Sequence, residues 1–160
     1  SDLTLCDYAQ LCDVFYIGGT KVGALFGEAV VFTNKKFCSK HFRYHIKQQG
    51  GMLAKGRLLG LQFLTLFTDN LYFNIANHAI EQAMRIRNAF ESKGIKFLVD
   101  SPTNQQFPIL TKHQIEVLSK EFLFSTWQHI DDMHTAVRFC TSWGTLPQSV
   151  DSLISAIEKL

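Results

Sequence analysis

Four glycines, Gly18, Gly19, Gly23 and Gly27, fall within ten residues, and this density constrains the chain more than any other feature. Glycine is costly inside a helix and inside a strand, so residues 18–27 form neither throughout. The flanks have the opposite character. Residues 13–17 (Asp-Val-Phe-Tyr-Ile) and 28–32 (Glu-Ala-Val-Val-Phe) are β-branched and aromatic runs that predict two short strands. The glycine-rich stretch is thus expected to be a loop held between two strands, a kind of position where chemistry concentrates. Lys21 stands in its middle. A lysine between glycines and apolar strands is expected to be partly desolvated, which favours the neutral amine that attacks a carbonyl. The plainer alternative is a turn carrying a solvated lysine. Neither G-x-x-x-x-G-K-[ST] nor G-x-G-x-x-G occurs here, so a nucleotide site is not expected.

The 160 residues suffice for one domain or a pair of small ones. Hydrophobic residues make up 46%, and 14 Phe stand against 3 Pro, which rules out intrinsic disorder. The net charge of +2 is too balanced for a protein that grips a phosphate backbone, so no nucleic-acid partner is expected. No apolar run reaches 18 residues and no basic segment leads an apolar one at the N-terminus, so neither a membrane span nor a signal peptide is expected. Cys6, Cys12, Cys38 and Cys140 form no CxxC pair, a pattern expected of buried free thiols in a reducing compartment, the cytoplasm. The chain opens at Ser1 with neither an initiator Met nor a capping pattern, as a piece of a longer polypeptide would.

Residues 34–49 are basic with interleaved aromatics and predict a partly exposed helix, ended by Gly50-Gly51. Cys38, His41 and His45 would share one face of it, but a zinc site needs a further ligand and nothing nearby is compelling, so no metal is expected. Residues 56–67 are apolar enough to predict a buried helix. Asp69 or Asn70 then caps a long helix in which Ala76, Ala79, Ile80, Ala83, Ile86 and Phe90 follow helical spacing, with Gly94 as its left-handed stop. Beyond Gly94, residues 96–99, 106–110, 122–127 and 133–140 predict short strands. Thr111-x-x-Gln114 is a capping box, and Pro147 opens a last helix with Val150, Leu153, Ile154 and Ile157 on one face. The tail is a β-β-α-β-β-α unit, and the division falls after the long helix, 1–92 and 93–160. Within its strand, Arg138 alternates away from Val137 and Phe139. Its guanidinium calls for an anionic partner, either a protein carboxylate or the carboxylate of a ligand.

Residues 13–23, running Asp-Val-Phe-Tyr-Ile-Gly-Gly-Thr-Lys-Val-Gly, and then Gly-Glu-Ala-Val-Val-Phe at 27–32 resemble the Schiff-base lysine region of the threonine aldolase and β-eliminating lyase family, low-specificity L-threonine aldolases among them. Gly50-Gly51-Met52 is similar to that family's glycine-rich turn, and Val-Arg-Phe-Cys-Thr-Ser-Trp at 137–143 to its arginine-bearing strand. The resemblance spans nearly the whole chain. It implies an α/β fold, the C-terminal part of a fold-type I pyridoxal-phosphate enzyme: the end of the cofactor-binding large domain with its linking helix, then a small α+β domain. It implies that Lys21 carries pyridoxal 5′-phosphate as an imine, that Thr20 orients the lysine or the phosphate, and that Arg138 holds the substrate α-carboxylate. A basic side chain near the glycine-rich turn reaches the phosphate in this family. Leu53 stands where relatives often have Arg, so Lys47, Lys55 and Arg57 are the candidates. The phosphate loop, the group stacking on the ring and the Asp on the pyridine nitrogen all precede the lysine in the family, so this chain resembles the C-terminal half only. The resemblance implies a lyase cleaving threonine or allo-threonine to glycine and acetaldehyde, a homodimer or homotetramer that is inactive without the N-terminal half. A β-eliminating lyase or aminotransferase of the same fold is the near alternative. A non-catalytic dimerisation or interaction module is the distant one.

Overall fold

The computed structural model describes residues 3–160; the opening at Ser1 lies outside the described residues. The chain divides into two compact units between Tyr72 and Phe73.

The first unit opens with α1 (Leu5–Leu11), where Thr4 and Asp7 form a reciprocal capping box. The two predicted strands are present as β1 (Val14–Gly18) and β2 (Glu28–Phe32), paired antiparallel with Val14 opposite Phe32 and Gly18 opposite Glu28. Between them the loop holds one turn of 3₁₀ helix, Thr20–Val22, closed by Gly23 at φ 96°. The basic segment departs from expectation. Only Phe42–Gln48 is helical (α2), because side chains in 34–41 capture backbone donors that a helix would need. The Asn34 side-chain oxygen accepts the Lys36 amide at 3.1 Å, and Ser39 Oγ accepts that of His41 at 3.1 Å. Cys38 and His41 therefore precede the helix that carries His45. Among the described residues no cluster of three His, Cys, Asp or Glu is placed to hold a metal. Next comes α3 (Arg57–Phe67), a helix as expected but not a buried one: only Leu66 is buried, while Leu58, Leu61 and Leu64 are half exposed or more.

The long helix α4 (Leu71–Ser92) follows a turn in which Asp69 and Asn70 both take positive φ, and Gly94 at φ 71° stops it. The second unit contains β3 (Gln105–Gln106), β4 (Ile109–Thr111), α5 (Lys112–Leu118), β5 (Ser125–His129), β6 (His134–Cys140) and α6 (Pro147–Ile157). All three other strands pair antiparallel with β6. One expected strand, 106–110, is split. Pro108 has no N–H to give the ladder, and its carbonyl accepts Val137 N at 3.0 Å instead. Residues 96–99 form no strand but a single bridge, Phe97 to Pro108. The core is one cluster: Ile86 and Phe90 of α4, Leu110, Leu118, Val137, Phe139, and Val150, Leu153 and Ile157 of α6. The helical and strand periods of these segments converge here, which is why their apolar faces are the buried ones.

The four thiols are free, but the expectation of burial is corrected: Cys12 is half-buried and Cys6, Cys38 and Cys140 are exposed. Cys140 shows the reason, because it ends β6 where the alternation turns outward after Phe139. Among the described residues no helix is long and apolar enough to cross a membrane.

Candidate active site

In the first unit, α3 grips the glycine-rich loop with the face formed by Leu59, Gln62 and Phe63. Gln62 Oε1 accepts the Leu25 amide at 2.6 Å, and Gln62 Nε2 donates to the Phe26 carbonyl at 3.4 Å. Gly19 is buried so tightly that a Cβ there would lie 2.7 Å from the Ala24 Cβ and 3.1 Å from the Phe63 ring. Gly27, at φ 87°, leaves only 2.2 Å between such an atom and Leu59. The Gly19 carbonyl accepts both the Val22 and the Ala24 amides, at 3.1 and 2.9 Å. At the end of β1, the Tyr72 hydroxyl donates to the Gly18 carbonyl at 3.0 Å, and burial raises the Tyr72 phenol above its ordinary range.

These contacts fix the backbone on both sides of Lys21 while Lys21 itself stays exposed. The expected desolvation is therefore corrected. Val22 and Ala24 point inward from the turn, and the lysine, between Thr20 and Val22, points outward. Thr20 is exposed beside it. Lys47 in the last turn of α2, Lys55 and Arg57 at the start of α3 are exposed as well. From residue 29 to residue 68 there is no Asp or Glu, while seven Lys and Arg occur. Such a surface suits a phosphate.

In the second unit, Arg138 lies on β6 opposite Ser125 of β5, half-buried between core neighbours Val137 and Phe139. Its Nη1 donates to Gln105 Oε1 across a long 3.4 Å, and its Cζ lies 5.1 Å from the Trp127 ring centroid. The buried Nε has no hydrogen-bond partner. The ion pairs among the described residues involve Arg85, Arg87 and His134, not Arg138. A structural arginine in such a place ordinarily meets a carboxylate. Among the described residues this one meets none.

Gln62 and Trp127 were not singled out from the sequence. Gln62 had a visible signal, as a lone amide three residues after Leu59 in an apolar helix. Trp127 had none, because its place depends on a bulge in β5.

No protein-family model matches the chain. It is 29% identical over 150 residues to a low-specificity L-threonine aldolase of a Pseudomonas species, covering 92% of this chain and 42% of that protein. A second, from Pseudomonas aeruginosa, is 29% identical over 135 residues, covering 83% of this chain and 38% of its own length. The chain therefore spans about two fifths of the curated relatives it matches, in their C-terminal part. Among solved structures, Leishmania major threonine aldolase superposes with a TM-score of 0.94 at 39% identity, over 99% of this chain and 46% of that one. Sphingomonas wittichii serine palmitoyltransferase shares the fold alone, with a TM-score of 0.63 at 12% identity over 96% of this chain and 41% of its own. In architecture the chain is similar to the C-terminal part of fold-type I enzymes, and in sequence it is similar to that part of threonine aldolases.

Proposed function

We propose that this chain is the C-terminal portion of a pyridoxal-phosphate-dependent lyase that cleaves β-hydroxy-α-amino acids, threonine and allo-threonine, to glycine and acetaldehyde. The observation that carries the reading is the lysine turn, whose backbone is fixed by α3 on both sides while the Lys21 side chain stands free. A Schiff-base lysine needs this combination: a rigid base, so that the amine returns to one place, and an accessible amine that can bond to a carbonyl and be displaced. The cations at Lys47, Lys55 and Arg57 suit the phosphate, and Thr20 beside Lys21 can orient either group. The residues present fit the cofactor.

The bound cofactor supplies the electron sink that takes up the pair left on Cα when the Cα–Cβ bond breaks. Lys21 would hold the cofactor through its amine, which would place that amine beside the reacting centre. Arg138 receives the α-carboxylate through its planar donors, which fixes the orientation of the Cα–Cβ bond. Across the reaction the proton lost from the β-hydroxyl is balanced by the one gained at Cα, so glycine and acetaldehyde together account for every atom of threonine. In this reading residues 1–92 continue the large domain and its linking helix, and 93–160 form the small domain. The polypeptide equivalent to the remaining length of the relatives supplies the ring-gripping groups, and the working form is a homo-oligomer. The exposed leucines of α3, 51–67% accessible at Leu58, Leu61 and Leu64, support a further polypeptide covering that face.

Borohydride reduction of the intact, cofactor-loaded protein followed by peptide mapping tests the assignment. The label is expected on Lys21 alone. Label on any other lysine removes Lys21 from the chemistry.

A further inference from the structure

We infer that Trp127 is a positioning residue for Arg138: its indole face holds the guanidinium while leaving the in-plane donors for the substrate carboxylate. This rests on the reading of Arg138 as the group that receives that carboxylate. On β5 the register shifts between Thr126 and Gln128, so Trp127 is the extra residue of a bulge. A bulge re-aims one side chain and is a recurrent device near functional sites. The result is a cluster of Phe107, Trp127 and Arg138. The Phe107 ring lies 5.0 Å from that of Trp127, tilted by 58°, and Arg138 Cζ lies 5.1 Å over Trp127 on β6.

The geometry separates two kinds of interaction. A cation–π contact uses the face of the guanidinium, whereas its five N–H donors lie in the plane. The indole holds the group by its charge, so no donor is paired as it would be with a protein carboxylate. The one side-chain acceptor recorded for Arg138, Gln105 Oε1, is 3.4 Å away and weak. Nε is buried, so side-on approach is closed and a carboxylate meets the end-on edge formed by Nη1 and Nη2. Trp127 is 51% exposed, more than core packing alone accounts for.

The test uses the intact enzyme and two substitutions at Trp127. Trp127→Leu keeps apolar volume and removes the π face; Trp127→Phe restores a smaller face. The expected result is a rise in KM for threonine of about 3- to 10-fold in Trp127→Leu, with kcat within about twofold and most of the loss recovered in Trp127→Phe. Arg138→Gln should raise KM by more than either. A readout without turnover accompanies it. In a Trp143→Phe background, titration with glycine should change saturably the part of the fluorescence that Trp127→Phe removes, an effect abolished by Arg138→Gln. An unchanged KM in Trp127→Leu, alongside an impaired Arg138→Gln, overturns the inference and leaves the reading of Arg138 standing. A lowered melting temperature with unchanged KM also overturns it, because that marks a packing role only. Unchanged KM in Arg138→Gln sinks the reading of Arg138 and the inference together.

Discussion

At the scale of single residues, the lysine turn depends on two adjacent glycines in opposite situations. Nothing lies within 4 Å of where a Cβ on Gly18 would be, but at Gly19 it would meet the Ala24 Cβ at 2.7 Å, an atom with no rotamer to move aside. Gly19→Ala is expected to cost about 1–3 kcal/mol in denaturant melts, whereas Gly18→Ala stays within about 0.5 kcal/mol. Equal effects at the two positions would mean that the turn is not packed against α3 as described. The irregular loop that carries Lys21 was legible from its glycines. Its exposure was not, because that follows from Val22 and Ala24 taking the inward positions of the turn. Arg138 was legible as a charge in an apolar strand. What meets it was not, since Gln105 arrives from a strand 33 residues away and Trp127 is aimed by a bulge in the neighbouring strand.

At the scale of elements, local chemistry sets the ends. Thr111 caps α5, its Oγ1 accepting the Gln114 amide at 3.2 Å while Gln114 Oε1 accepts the Thr111 amide at 2.9 Å. Thr111→Ala should lose about 1 kcal/mol in equilibrium unfolding and Thr111→Ser much less; an unaffected Thr111→Ala would show that the cap contributes nothing. The β5–β6 turn has a titratable latch. Asp131 accepts the Met133 and His134 amides at 2.8 Å each and contacts His134 Nδ1 at 2.9 Å. The Met133 amide foremost, then the His134 side chain, hold its carboxyl below the usual carboxylate range. With the folded-state pKa depressed, this contribution is fully present above about pH 4 and is lost as pH falls through the lowered value. Protection of the amides in residues 130–134, taken relative to the intrinsic exchange rate at each pH, should therefore fall on acidification below about pH 4. In Asp131→Asn, which does not titrate, that acid step should vanish; its persistence would assign the step to another group. The capping box and Pro147 were readable from spacing alone, whereas the strand at 96–99 and the full helix at 34–49 were not realised. At 34–41 side chains capture the donors a helix would need, and at 96–99 the pairing is limited to the bridge from Phe97 to Pro108.

At the scale of the whole molecule, the two units differ in what they bury. The second has a continuous core with Phe90, Leu110, Val137 and Ile157 fully enclosed. In the first, the buried apolar side chains are Val22, Ala24 and Leu66, and α1 and α2 bury none. Hydrogen exchange on the 160-residue chain should thus show strongest protection in β6 and the middle of α4, and little in α1 and α2. Uniform protection would contradict the asymmetry. Two classes of feature were determined by the sequence itself. The first is local conformation wherever an element's own residues supply its signals: the glycine-broken loop, β2, the stop at Gly94, the caps of α5 and α6. The second is the apolar period that selects the buried face of α4 and α6. The tertiary structure alone decided the rest. It made the Leu59–Gln62–Phe63 face of α3 a clamp on the lysine loop, split the 106–110 strand at Pro108 against β6, and set an indole over Arg138. The first two are contacts between segments distant along the chain and the third crosses a hairpin through a bulge; in each, register and burial depend on both partners at once, and neither segment's sequence specifies the other.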